Sequence, residues 1–162
     1  MKRISLIGVI AFVLSAGPAS AGKDEVDFVT RASIGHLFAI AESQLAIDRA
    51  ANPKVKAFAQ ALIEDHRKAE TGLESAAGGS GAAPSTALDA DHQAHLTALQ
   101  GKSGADFDQA YVADQVEIHS NTLTLYADYM LLGDDAKLKA FAIRMIPITE
   151  SQLRNANAVL GD

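Results

Sequence analysis

Two histidines, His66 and His119, have the residue type and surroundings best suited to chemistry in this 162-residue chain. His66 lies four residues after Leu62 and seven before Leu73, which places it on or beside an apolar helical stripe. His119 lies three residues after Val116 and borders a second apolar stripe. Because imidazole and carboxylate groups bind zinc, iron, copper and manganese, this pattern raises the hypothesis of a metal site between helices.

Three carboxylates near these histidines complete the candidate metal site. Glu70 follows His66 by one helical turn, Asp65 directly precedes it, and Glu117 stands two residues before His119. The metal hypothesis therefore names His66, His119, Glu70, Asp65 and Glu117 as ligands of a divalent transition metal, and no other cofactor is indicated. The alternative is structural, with both histidines hydrogen-bonded across the core to a carboxylate or a tyrosine.

The spacing around the histidines differs from that of di-iron helical bundles. Those proteins use Glu-x-x-His, because residues three apart share a helix face. Here Ile63 and Val116 stand three residues before the two histidines, so the neighbouring carboxylates diverge around the helix. This spacing favours the structural alternative. Since the chain also has no Cys and no nucleophile, phosphate-loop or dinucleotide motif, we expect a protein that is not an enzyme.

The other three histidines give weaker indications of a metal site. His92 and His95 stand three residues apart, and Asp89 stands three before His92, so this trio could form a metal clip on a helix surface. A solvated polar face is the more typical role of such residues on an exposed helix. His36 and Glu42 could face the core from the first helix, but the sequence gives this little support.

Long stretches of helical periodicity must position all of these residues. We expect four long helices and one short helix, over about 27–50, 53–75, 87–99, 104–132 and 135–160. This order predicts an all-α fold, a ferritin-like four-helix bundle with a long connection that holds the short helix. A connection of about 30 residues could cross the whole bundle or fold back at one end.

Local features predict where several helices begin and end. Asn52 and either Asp134 or Asp135 are candidate N-caps, Ser103 is expected to form a capping bond, and Gly133 ends the helix over 104–132. Large apolar residues predict the core face of the first helix, namely Phe28, Ile34, Leu37, Phe38, Ala41, Leu45 and Ile47.

The connection itself is the basis of a third hypothesis, that of an interaction module. Leu88, Leu96 and Leu99 lie on one side of the short helix. If the connection is a docking surface, these three residues should form an exposed apolar patch.

The first 21 residues have the three parts of a secretory signal peptide. Lys2 and Arg3 are followed by an apolar run over 4–14, which is short for a membrane span, and by a small-residue site that ends at Ala21. We therefore expect export to the periplasm, cleavage after Ala21 and a single domain over 22–162. With no Cys for lipid attachment and no second apolar run, no stable membrane anchor is expected after cleavage.

The mature domain is acidic. Without Lys2 and Arg3, 12 basic residues face 20 acidic ones, which argues against nucleic acid as a partner. The Ala-rich helices are compatible with a homo-oligomer, but nothing in the sequence specifies one.

The mature chain resembles the domain of unknown function 4142 family of exported bacterial proteins. The resemblance is strongest in NPKVKAFAQ, the Asp65-His66 pair, FDQAYV, and LKAFA with the proline after it. It implies a ferritin-like fold and leaves the activity open. Together with the absence of catalytic motifs, the sequence therefore indicates a non-enzymatic binding or stress-related protein of the cell envelope.

The resemblance also bears on the metal hypothesis. His66 and His119 match positions where the family commonly has histidine. The family often has Glu in the place of Ala39 and His in the place of Gln152, and the nearest carboxylate, Glu42, is expected on a different face. If those positions bind metal in relatives, this chain lacks two of the ligands.

Overall fold

The computed structural model describes residues 22–161, which form five α-helices and no β-strand. Their bounds are α1 Lys23–Arg49, α2 Pro53–Ala77, α3 Ala90–Gln100, α4 Gly104–Leu132 and α5 Ala136–Val159. The all-α expectation is therefore confirmed for this part of the chain. Within it, no helix combines the length and the hydropathy needed to cross a membrane. The predicted signal peptide, residues 1–21, lies outside the described residues.

Side-chain caps begin two of the long helices. The Asn52 side chain accepts a hydrogen bond from the backbone N–H of Lys54 at 2.9 Å, and the Asp135 carboxylate caps α5 in the same way. The capping bond expected of Ser103 is absent. The chain enters α4 through Gly104, whose φ of 59° is in the left-handed region that favours glycine.

Each of the four long helices packs against two others, in the cyclic order α1, α2, α5, α4. Two apolar clusters lie at the opposite ends of these helices. The Phe28 cluster includes Phe28, Val29, Ala69, Leu73, Ala77, Tyr126, Tyr129, Leu138 and Phe141. The Phe107 cluster includes Ala46, Ala50, Val55, Ala59, Leu99, Phe107, Tyr111 and Val112. Helices α1 and α5 run from the first cluster to the second, whereas α2 and α4 run in the opposite direction. The long helices that contact each other are therefore antiparallel.

The connection between α2 and α4 runs along the whole length of α1. It leaves the Phe28 cluster at Ala77 and reaches the Phe107 cluster at Leu99. Between these points, the backbone N–H of Ser85 donates a hydrogen bond to Ser33 Oγ at 2.7 Å. The structure thus decides between the two paths that the length of the connection left open.

The leucines of this connection do not form a free patch. Leu99 is buried, and Leu88 and Leu96 are half-buried against a small cluster that contains Phe38 and Ile118. The expectation of an exposed apolar docking surface is therefore wrong. The amphipathic helix α3 uses its leucines to cover α1 and α4.

Candidate functional site

Polar side chains fill the core between the two apolar clusters. Their positions follow from helical periodicity, because residues four or seven apart share a face. Those that are at most 6% exposed come from all four long helices, namely Ser33, His36, Glu42 and Ser43 on α1, His66 on α2, Gln115 and His119 on α4, and Thr149 and Gln152 on α5. Buried polar groups are costly unless they are paired, so each pairing indicates what this layer does.

The structure brings His66 and His119 together. Their Nε2 atoms are 3.4 Å apart, and the two side chains are 6% and 1% exposed. His119 Nδ1 donates a 2.6 Å hydrogen bond to the carbonyl oxygen of Gln115, one turn earlier on α4. When the ring is neutral, this bond places its proton on Nδ1. His119 Nε2 is then unprotonated, and its lone pair is directed at His66.

Both rings are held in the neutral state. Burial lowers the pKa of His119 to about 4, and the carbonyl of Gln115 opposes this only in part. Burial, followed by the nearby rings of His36 and His119, lowers the pKa of His66 well below its usual value. His66 Nδ1 is buried and has no hydrogen-bond partner, so one ring nitrogen of His66 makes no polar contact.

His36 lies next to this pair and is part of a second polar unit. Its Nδ1 lies 2.8 Å from a carboxylate oxygen of Glu70, and its Nε2 lies 2.9 Å from the hydroxyl of Tyr126. The centroids of the His36 and His66 rings are 5.5 Å apart. With Nδ1–H donating to Glu70, the phenol O–H donates to Nε2. His36, which the sequence supported only weakly as a core residue, is 1% exposed at the centre of the core.

Glu42 is also buried, in contrast to the expectation that it lies on a different face. It is fully inaccessible, and its Oε2 accepts a 2.9 Å hydrogen bond from Gln115 Nε2. Burial first, and the charge of Asp114 second, raise the pKa of Glu42 to about 9. The Glu42 carboxyl is therefore protonated at neutral pH, and its Oε1 is buried near Asp114 without a hydrogen-bond partner.

The carboxylates proposed as metal ligands do not converge on the histidine pair. Glu70 is bound to His36, Asp65 is half-buried, and Glu117 is exposed. Within residues 22–161, no group of three or more His, Asp or Glu side chains lies close enough together to hold a metal ion. His66 and His119 thus form a pair without a third ligand of these types.

The two positions at which this chain departs from the family, Ala39 and Gln152, are both in the interior. Ala39 is fully buried and Gln152 is 5% exposed. Neither side chain supplies the carboxylate or imidazole expected at that position in relatives, which is consistent with the two-residue pair.

The histidines of α3 also separate. The Asp89 carboxylate caps α3 by accepting from the backbone N–H of His92 at 2.9 Å, and the same oxygen lies 2.6 Å from His92 Nδ1. His95 Nδ1 instead lies 3.7 Å from a carboxylate oxygen of Asp114 on α4. The trio considered as a metal clip is therefore divided between a helix cap and an inter-helix contact.

Tyr126 and Gln115 are site residues that the sequence analysis did not identify. Gln115 stands four residues before His119 and Tyr126 seven after it, so all three share one face of α4. That spacing could have identified them once His119 was placed in the core.

Comparison with known proteins gives a family and a fold. The sequence profile of the family described as Domain of unknown function (DUF4142) matches residues 13–159. The crystal structure of a DUF305 fragment from Deinococcus radiodurans has a TM-score of 0.75 and 17% identity to this protein, over 88% of this chain and 98% of that one. No curated protein matches the chain. The chain belongs to the DUF4142 family, which confirms the resemblance, and its fold is that of the DUF305 fragment.

Proposed function

We propose that this member of the DUF4142 family is an exported binding protein whose core takes up a transition-metal ion between His66 and His119. The observation that carries the proposal is the 3.4 Å separation of the two Nε2 atoms. Two nitrogens bound at about 2.05 Å to one tetrahedral zinc ion are about 3.3 Å apart. As a hydrogen bond, by contrast, 3.4 Å is long, since N–H donors typically lie about 2.9–3.0 Å from their acceptors.

The hydrogen bonding and charge of the pair support the same role. Metal-bound histidines usually donate their second N–H to a carbonyl or carboxylate, as His119 does to Gln115. Because burial lowers the pKa of both rings, protons do not compete for the lone pairs at neutral pH. His36 and Glu70, one ring farther along the core, are the nearest groups that could complete the coordination after a side-chain shift.

We assign the protein a non-enzymatic role, because the His66–His119 pair is buried and the polar side chains described around it include no activated nucleophile. We also propose that the fold is, in detail, a ferritin-like four-helix bundle. Its helices in contact are antiparallel, and one long connection runs from end to end, as in ferritin-like topology. The first 21 residues support export to the periplasm and cleavage after Ala21.

Metal binding is tested by titrating the metal-free protein with Zn²⁺ in a calorimeter. We expect one ion per chain, and we expect His66→Ala and His119→Ala each to weaken binding about tenfold or more. The matched control is His92→Ala, which removes a partly exposed histidine of α3 and should leave the affinity unchanged. Circular dichroism checks that each variant is folded.

The structural alternative gives a different set of results. If wild-type protein binds no Zn²⁺, Cu²⁺ or Cu⁺, or if the double variant of His66 and His119 binds as well as wild type, the pair serves packing alone. Export is tested separately by the mass of protein from the periplasmic fraction, which should correspond to a chain that begins at Gly22.

A further inference from the structure

A groove of about 780 Å³ lies between α1, α3 and α4, with Asp114 in its wall. Its volume is in the range of small-molecule sites, about 300–1,000 Å³. Apolar side chains from all three helices line part of it, including Ile34, Phe38, Ala94 and Ile118. The proposed metal pair takes no part in this groove, so any function of the groove is additional.

The charged residues that line the groove are mostly acidic. Asp89, Asp91, Asp114 and Glu117 face one permanent cation, Arg31. Two histidines of α3 also line the groove, with His92 Nδ1 at 2.6 Å from Asp89 and His95 Nδ1 at 3.7 Å from Asp114. The guanidinium of Arg31 lies 3.4 Å from a carboxylate outside the groove, so part of its charge is already compensated. An anionic ligand would be repelled by this negative field, whereas a cation would be attracted to it.

A buried acid directly behind the groove gives a second, independent indication. Glu42 is fully inaccessible, and its buried Oε1 has no hydrogen-bond partner. Asp114 lines the groove and is 21% exposed. Two carboxyl groups thus lie close together at the groove wall, and a bound cation would relieve the repulsion between them.

We propose that this groove binds a small organic cation, an ammonium group carried on a short apolar body, with the ammonium at Asp114 and the body against Phe38 and Ile118. Charge complementarity selects a cation. The apolar part of the wall and the volume select an organic one, since a bare metal ion would fill only a small part of the space. The edges of the His92 and His95 rings, whose centroids lie 4.8 and 6.2 Å from that of Phe38, close the groove on the α3 side.

The proposal is tested with three probes of one shape and different charge, namely benzylamine, benzyl alcohol and benzoate. Binding to the full mature chain is followed by ligand-observed NMR and by calorimetry at pH 7. We expect benzylamine to bind at least about tenfold more tightly than benzyl alcohol, with no binding of benzoate, because a hydrogen bond to a charged group contributes about 1.5–3 kcal/mol. Equal binding of amine and alcohol, or no binding of the amine, overturns the proposal.

Two variants locate the binding in the groove. Asp114→Asn removes the charge and should weaken benzylamine binding about tenfold. Gly35→Leu fills the groove without changing charge, because a Cβ at Gly35 meets only Thr122 Oγ1, at 3.7 Å. Asp48→Asn is the matched control, as it removes an exposed carboxylate of α1 that does not line the groove.

The variants also separate the two proposed sites. Benzylamine binding that is lost in Gly35→Leu but kept in His66→Ala supports the groove, whatever the result with metal. Binding that survives both Asp114→Asn and Gly35→Leu overturns it, as does a groove that binds Zn²⁺ alone and no amine. Because Gly35→Leu removes a helical glycine and should not reduce helix stability, loss of folding does not hide the result.

Discussion

The Phe28 cluster and the polar layer next to it differ sharply, and two tyrosines that α4 supplies to this cluster show the difference. Tyr129 stacks on Phe28 with ring centroids 3.9 Å apart, and its hydroxyl has no hydrogen-bond partner. Tyr126, three residues earlier, binds His36 through its hydroxyl. The apolar end therefore contributes stability through burial, whereas the polar layer keeps ionisable groups neutral and directed at one another. The difference places the proposed metal site in the middle of the helices, where polar groups are buried, and the largest contribution to stability at the apolar end.

The largest effect is expected at the apolar end. Phe28→Ala removes a ring that is 1% exposed and contacts Tyr126, Tyr129 and Phe141. We expect the free energy of unfolding to fall by about 3–5 kcal/mol in urea denaturation. Zn²⁺ affinity of the folded fraction should not change. A loss of metal binding in this variant would contradict the division between the two regions.

A smaller loss of stability, with a change in binding, is expected from the polar layer. His36→Ala leaves the Glu70 carboxylate and the Tyr126 hydroxyl without their partner. We expect a loss of about 2–3 kcal/mol, measured in the same way. Zn²⁺ affinity should change as well, because the His36 ring lies 5.5 Å from that of His66. If stability falls while the affinity is untouched, His36 is only a structural residue.

The buried acid makes stability depend on pH. Burial raises the pKa of Glu42 to about 9 from 4.5, so the folded chain holds a proton that the unfolded chain loses within this window. The free energy of unfolding should therefore decrease as pH rises from 6.5 to 9. His66 and His119, whose pKa values are lowered from 6.5, should affect stability only below that range, where stability falls as pH falls.

Replacement of Glu42 isolates this contribution. Glu42→Gln keeps the shape of the protonated acid, and its amide can accept from Gln115 and donate to Asp114. We expect the variant to be more stable than wild type by about 2 kcal/mol at pH 8.5, with a smaller difference at pH 6.5. Glu150→Gln, on the exposed side of α5, is the control. Parallel pH profiles of wild type and Glu42→Gln would contradict the raised pKa.

The smallest effects come from the two tyrosine hydroxyls and compare the regions most directly. Tyr126→Phe removes a buried hydrogen bond to His36 and should cost about 1 kcal/mol. Tyr129→Phe removes a hydroxyl without a partner and should be neutral or slightly stabilising. Thermal denaturation of the two variants measures the difference, and a larger loss at Tyr129 would show that the end layer has a polar role.

The core face of α1 shows where sequence-based reasoning was misled. Of the large apolar residues that we expected to define it, Phe28 and Phe38 are buried, but Ile34 and Leu37 are only half-buried. The residues that face the centre are Ala32, Ser33, His36, Ala39, Glu42, Ser43 and Ala46. Small residues allow neighbouring helices to approach closely, and the space between them accommodates paired polar groups. A search for large hydrophobic residues overlooks such a face, and with it His36 and Glu42.

The sequence alone determined the features that depend on local interactions. Helical periodicity, the cap at Asn52, an aspartate cap at position 134 or 135, and the end of α4 at Gly133 are set within a few residues of each position. It also placed His66 and His119 beside core faces, since a stripe is visible within a single helix.

Only the tertiary structure decided which groups meet. The pairing of His66 with His119, the His36 contacts and the Glu42–Asp114 contact join residues 34 or more positions apart in sequence. Such contacts depend on the relative rotation and depth of packed helices, which no single helix encodes. The path of the connection along α1 and the resulting groove are non-local for the same reason. Neutral imidazoles and a protonated acid are likewise consequences of burial, which exists only when all the helices are assembled.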